Sequence, residues 1–362
     1  MYYRELGKTQ QIASRGLSGV FNEVQMKNVF YFKNINSVGG VESFLYYLAK
    51  KYDFTFYYKE ADPTQIKRLS QLIKVRKYKE PIKCDKFFCN YNYDIEVEAN
   101  EKYHIVHCDY KNVWFAPFLY NGFKYIGVSK LVCDSFKELT GKEIELCYNP
   151  IYLDKIKGEK KNDGVLHLIS ATRLTREKGL SRMQKLARML EKAGIKYEWK
   201  IFTNRRRECV GSYATYIEPQ LDISKEMVKA DFLVQLSDCE AFCYSVVEAL
   251  TLGVPVIATD LPVYKELGLN ETNSIICDMN MNNIDLTKLN KKYEFNYQAP
   301  QETWNKYLSE KKEYNPNEIV NVKVLRAYTD IELGIKLKRD EIKEMQQARA
   351  SYLEAKGLVE IL

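Results

Sequence analysis

The segment from Asp238 to Asp260 reads DCEAFCYSVVEALTLGVPVIATD. It lies between two short apolar runs, 231–236 and 254–258, so its pattern is strand, helix, strand. Ser245 is a natural N-cap for a helix over 246–252 that is apolar nearly all round, and Gly253 with Pro255 stops it. Glu240 falls just past the first strand, and Glu248 lies inside the helix. Open parallel sheets place their ligand crevice outside the carboxyl ends of the strands. Backbone N–H groups at 242–245 would then point into that crevice and favour an anion. Ser245 and Glu248 also fit a plain capping box, in which the glutamate returns to the serine N–H and has no other duty.

Working outward, similar apolar runs recur at 165–171, 198–202, 213–217 and 274–277 in the same half. In the preceding half they fall at 29–35, 54–58, 103–108, 125–128 and 144–148. Runs that are apolar at successive positions, separated by helical patterns, indicate parallel strands covered on both faces. The expected class is therefore α/β, with two Rossmann-like doubly wound domains facing a cleft. Pro, Gly and charge replace the apolar pattern over 149–164, NPIYLDKIKGEKKNDG, which reads as the hinge. A short amphipathic helix is expected at 302–308, around Trp304. The expected domains are 1–150, 151–310 and a small α+β appendage at 318–362, too short to be stable without docking on the main body.

The 362 residues carry a formal net charge of +7 with 46% hydrophobic residues, which is globular usage with a bias toward anionic partners. No run approaches the roughly 18 apolar residues of a spanning helix, and MYYRELGKTQQ lacks a signal-type apolar core, so a cytoplasmic protein is expected. Nine cysteines without a CxxC pair argue against both a disulfide framework and a structural zinc site.

Three further segments align with the crevice. SATRLTREKG at 170–179 brings Arg173 and Lys178 to a strand end ahead of a helix over 180–193. NINSVGGVE at 34–42 puts Gly39 and Gly40 between the first strand and a helix over 42–51, where bare backbone approaches an anion closely. His107 ends the run at 103–108 and faces the crevice by the strand-end rule, with Asp109 a weaker neighbour. His104 falls on the opposite strand face and reads as structural.

Residues 240–257, E-A-F-C-Y-S-V-V-E-A-L-T-L-G-V-P-V-I, resemble the E-x7-E signature of the retaining, family-4 type GT-B glycosyltransferases, also called glycosyl transferases group 1. That signature runs roughly E-G-F-G-x-x-x-x-E-A-x-A-x-G-x-P-V-I, so Ala241 and Cys243 stand where the family has glycines. The segment from Arg173 to Gly179 is similar to the family's G-R-L-x-x-x-K-G. The resemblance covers about 27–310. It implies an N-terminal acceptor-side domain and a C-terminal donor domain. It places Glu240 at the donor sugar and Glu248 at the ribose hydroxyls, with Phe242, Cys243, Tyr244 and Ser245 around the donor. Arg173 and Lys178 would hold the diphosphate, Gly39 and Gly40 would close on it from the other domain, and His107 would touch the sugar. Cations there stabilise the charge that develops on a departing diphosphate. The implied enzyme is a retaining, metal-independent hexosyltransferase with a nucleotide-diphosphate sugar, UDP-sugar foremost, as co-substrate and no other cofactor.

The acceptor is not written in these motifs. A glycan, a lipid-linked precursor, a protein or a modified DNA base all fit, the last with a phage-type enzyme. From Thr64 to Lys86, TQIKRLSQLIKVRKYKEPIKCDK, apolar residues at helical spacing among many cations suggest a basic helix. It is either a peripheral contact with an anionic membrane or DNA, or a solvated face beside a core stripe. Arg205, Arg206 and Arg207 form a second basic cluster. A non-catalytic nucleotide-sugar-binding protein is the rival reading, and a sugar-nucleotide epimerase ranks behind it.

Overall fold

In the computed structural model the described residues are 26–154, 156, 158–204, 209–293, 295–311 and 313–362. The cluster at 205–207 lies outside them. The first lobe runs β1 (Met26–Ile35), α1 (Gly40–Lys51), β2 (Thr55–Ala61), α2 (Pro63–Leu69), β3 (Lys74–Lys77), β4 (Ile82–Asn90), β5 (Val97–Val106), β6 (Phe123–Gly127), α3 (Lys130–Thr140) and β7 (Glu145–Leu146). Its strands stand in the order β3-β2-β1-β4-β5-β6-β7, every neighbour parallel. The second lobe runs β8 (Leu166–Ala171), α4 (Leu180–Lys192), β9 (Tyr197–Phe202), β10 (Ala214–Ile217), α5 (Ser224–Met227), β11 (Phe232–Gln235), α6 (Tyr244–Thr251), β12 (Val256–Thr259), α7 (Pro262–Glu266) and β13 (Ser274–Cys277). Its order is β10-β9-β8-β11-β12-β13, again parallel.

Both sheets thus follow the doubly wound order in which the winding reverses beside the first strand. The crevice opens at that reversal, between β1 and β4 in one lobe and between β8 and β11 in the other. Central strands covered on both faces are apolar without alternation, as Val29, Phe30, Tyr31 and Phe32 of β1 show, all fully buried.

The first lobe's core is aromatic. Phe30 stacks on Phe88 with ring centroids 4.5 Å apart, and Trp304 packs edge-on against Phe44 at 5.3 Å. Trp304 comes from the far end of the chain. After β13 the backbone crosses back, and residues 302–311 lie on the first lobe. There Glu302 accepts hydrogen bonds from Tyr52 and Tyr152, and the Lys311 N–H donates to the Lys51 carbonyl. Trp304 sits in a short 3-10 turn, Trp304–Lys306, in place of the amphipathic helix expected over 302–308.

The segment from Thr64 to Lys86 departs from the expected basic helix. It is α2, then β3, then the start of β4. The first half of β4 alternates buried and exposed residues (Ile82, Lys83, Cys84), so its strand character hides among lysines. Beneath one face of β1 and β4, Tyr78, Tyr93 and Ile95 from extended connections do the covering that a helix normally does.

The chain ends in the α+β unit expected: β14 (Ile319–Val324), β15 (Tyr328–Asp330), β16 (Ile335–Leu337), β17 (Ile342–Gln346), α8 (Gln347–Ala355) and β18 (Val359–Ile361). Its sheet order is β17-β14-β18, antiparallel. The unit docks through α8 onto α2 and β3. The Ser70 hydroxyl donates to the Ala348 carbonyl at 3.2 Å, and the Ser351 hydroxyl to the Val75 carbonyl at 3.1 Å. Lys79 pairs with Glu354 at 2.8 Å and Glu360 at 3.2 Å, and Lys67 with Glu332 at 3.5 Å. Part of the basic segment therefore faces this unit's carboxylates. Among the described residues no helix is long and apolar enough to cross a membrane.

Candidate active site

A cleft of about 1350 Å³ separates the two lobes. It brings together every residue singled out for the donor: Gly39, Gly40 and His107 from one side, and Arg173, Lys178, Glu240, Phe242, Cys243, Tyr244, Ser245 and Glu248 from the other. They sit at the carboxyl ends of strands, in the loops that follow them, or in the first two turns of the next helix.

The centre is an ion pair. Lys178 Nζ lies 2.7 Å from Glu240 Oε1, both side chains being largely buried. The same oxygen accepts from the Ser237 hydroxyl at 2.7 Å and the Gln235 amide at 3.2 Å. Burial alone would lower the Lys178 pKa, but the adjacent Glu240 carboxylate outweighs it and holds the ammonium above its ordinary range. Lys178 is fixed by its neighbour Gly179, the N-cap of α4, at φ +80°. A Cβ there would drive into the Leu236 carbonyl, so only glycine lets α4 sit against the end of β11. Arg173 stands on the rim, 61% exposed and 3.4 Å from Glu177.

Helix α6 begins two residues earlier than its composition suggests. Its N-cap is Cys243, not Ser245, and no side chain caps it. Cys243 has φ +69°, the region a glycine occupies without strain, so the backbone keeps a glycine-like shape although the residue has changed. Burial pushes its thiol up to about 12. The capping box is not formed either. Glu248 Oε1 accepts from the Tyr47 hydroxyl at 2.9 Å, across the cleft from α1, and the Tyr47 and Tyr244 rings stack at 5.5 Å. Burial raises the Glu248 pKa, and the Tyr47 hydrogen bond partly offsets that.

On the first lobe, Gly39 caps α1 in extended backbone, and a Cβ on it would meet the Glu42 carboxylate. Glu42 is buried and accepts from the Asn36 N–H at 2.8 Å; burial raises its pKa. His107 packs edge-on against Phe44 at 4.8 Å, and its buried Nε2 has no partner among the described residues. Burial pushes its pKa down to about 3, so the ring is neutral. Asp109 instead caps a turn, accepting from Lys111 N–H and Asn112, and His104 Nε2 lies 3.1 Å from the Tyr91 carbonyl. Among the described residues no group of three or more His, Cys, Asp or Glu side chains is placed to hold a metal ion.

Residues 213–308 match the family described as Glycosyl transferases group 1. Anabaena HepE, solved with UDP and glucose, superposes with a TM-score of 0.53 at 13% identity, over 70% of this chain and 86% of that one. WaaG, a glycosyltransferase involved in lipopolysaccharide biosynthesis, superposes at 0.52 with 14% identity, over 73% and 88%. The fold is GT-B. TarM also aligns, at a TM-score of 0.42 and 13% identity, over 55% of this chain and 45% of its own length. No curated protein matches the chain in sequence.

The GT-B cleft also contains groups that sequence reading passed over. Gln235 ends β11 and Ser237 lies two residues beyond it, and two polar residues at the close of the apolar run FLVQLS were a legible signal. Tyr47 was not legible, because its partner lies 201 residues away.

Proposed function

We propose that the protein transfers a hexosyl group from a nucleoside-diphosphate sugar, UDP-sugar foremost, to an acceptor hydroxyl with retention of configuration. The observation that carries this reading is the Lys178–Glu240 pair in the interlobe cleft, next to the first turn of α6. A preorganised cation there stabilises the negative charge that grows on the diphosphate as the glycosyl bond breaks. The group 1 family match over 213–308 includes Glu240 and Glu248. HepE, of the same fold, is solved with UDP and glucose, which supports UDP as the nucleotide.

In this reading Lys178 and Arg173 hold the diphosphate, and the α6 N-terminus adds its partial positive charge. Glu240 positions the donor sugar, Glu248 takes the ribose hydroxyls, and His107, neutral at ordinary pH, accepts or donates one sugar hydrogen bond. Gly39 and Gly40 close on the phosphates from the opposite lobe. With these groups neutralising the diphosphate, the reaction runs without a metal ion, and closure of the lobes about 149–164 limits hydrolysis.

Release of glucose from UDP-glucose by the full chain, followed with and without EDTA, tests the reading. Wild type is expected to turn over slowly and equally in both, and Glu240→Gln to lose turnover while keeping its thermal unfolding temperature. Full turnover in Glu240→Gln overturns the assignment.

A further inference from the structure

Helix α1 of the first lobe turns one face toward the second. Tyr47 and Lys50 stand about one turn apart on it. Lys50 donates to the Tyr152 carbonyl at 2.7 Å, in the connection between the lobes. Tyr47 reaches farther. Its ring stacks on that of Tyr244 at the start of α6, with centroids 5.5 Å and planes 21° apart, and its hydroxyl donates to Glu248 Oε1 at 2.9 Å. Tyr244 is itself fixed, because its own hydroxyl donates to the Pro150 carbonyl at 3.1 Å.

Glu248 is thus held by a group from the opposite lobe. Its second oxygen has no partner among the described residues, and the side chain lines the cleft. An ionised carboxylate offers about four lone-pair sites, so a single phenol leaves room for the hydroxyls of a ligand. Of the charges around it, the Arg68 guanidinium favours the ionised form and Asp222 opposes it. Arg68 lies over the Tyr46 ring at 3.2 Å, so this cation also belongs to the first lobe. A carboxylate free to swing loses rotamer freedom when it binds a diol, whereas one clamped beforehand is spared that cost.

We propose that Tyr47 is a positioning residue for nucleotide recognition, aiming the free oxygen of Glu248 at the ribose hydroxyls when the lobes are closed. The proposal rests on the glycosyl-transfer reading above and deepens it. The ribose contact sits on the second lobe, yet it is complete only with a side chain from the first. Opening the cleft then removes Tyr47 from Glu248 and loosens the nucleotide, so that closure and nucleotide retention are coupled through one hydrogen bond.

Isothermal titration of the full chain tests it, with UDP and with dideoxy-UDP, which lacks both ribose hydroxyls, and with far-UV circular dichroism as the check on folding. Tyr47→Phe keeps the ring against Tyr244 and removes only the hydroxyl. Its affinity for UDP should fall by about tenfold, the scale of a hydrogen bond to a charged group, while dideoxy-UDP should bind wild type and Tyr47→Phe equally. Glu248→Ala should abolish the preference for UDP over dideoxy-UDP, and adding Tyr47→Phe to it should cost nothing more. Equal losses for both nucleotides would make Tyr47 merely structural, tighter UDP binding would make it a plug that the ribose displaces, and unchanged UDP binding would leave it without a role. Each of these overturns the proposal and leaves the transfer reading in place. Wild type that binds neither nucleotide overturns the transfer reading, and the proposal with it.

Discussion

Gly179 and Gly253 have nearly the same backbone angle, φ +80° and +77°, yet differ in what surrounds them. A Cβ on Gly179 would collide with the Leu236 carbonyl, whereas nothing lies within 4 Å of one on Gly253. Replacing each by alanine therefore separates conformational cost from steric cost. The left-handed conformation costs an L-residue about 1–2 kcal/mol, and that is all Gly253→Ala should lose. Gly179→Ala adds overpacking against backbone that cannot swing aside, about 1–3 kcal/mol more, for a total of about 2–5 kcal/mol. Against a total stability of about 5–15 kcal/mol that is a large loss. Urea titration followed by far-UV circular dichroism reads both, compared at a common slope. Because Lys178 precedes the displaced turn, Gly179→Ala should also weaken UDP binding while Gly253→Ala does not. Equal destabilisation of the two variants would refute the argument that close packing of α4 on β11 fixes Lys178.

Glu354 is buried where α8 meets β3 and pairs with Lys79 while accepting from the Lys77 and Ile361 N–H groups. Glu354→Ala leaves two backbone donors unpaired, costing about 1–3 kcal/mol, and should speed tryptic release of the terminal unit; unchanged cleavage would contradict the docking described. Burial pushes His104 to about 4 and His107 to about 3, both below the ordinary value near 6.5. Their neutral rings contribute stability above pH ~6.5 that is lost as pH falls toward those folded values, while the raised carboxyls of Glu42 and Glu248 act in the opposite sense. The urea midpoint of His107→Gln should therefore fall less between pH 6.5 and 4.5 than that of wild type, and parallel profiles would show that His107 is not buried neutral.

The second lobe was readable almost strand for strand, most plainly at its central strands β11 and β12, which are buried throughout and read as the nearly continuous apolar runs FLVQ and VIAT. Where burial is one-sided the signal mixed with charge. Cys84 is buried between exposed Lys83 and half-buried Asp85, so β4 was hidden inside what read as a basic helix. The cap of α6 was misplaced for a different reason. Ser245 has the right side chain, but the turn is made by Cys243 in a left-handed conformation that propensity does not assign to cysteine. Long-range pairings such as Tyr47 with Glu248 and the return of 302–311 onto the first lobe leave no local pattern. The cleft residues were legible because strand ends and glycine turns mark a ligand crevice whatever the ligand is.

A crystal structure of the full chain with UDP bound is the most direct examination of the central claim. The account predicts the pyrophosphate between the lobes, with its oxygens within hydrogen-bond reach of Lys178 Nζ and the Arg173 guanidinium and the ribose at Glu248. UDP bound away from this cleft, or within it with Lys178 still paired only to Glu240 and no cation on the phosphates, would contradict it.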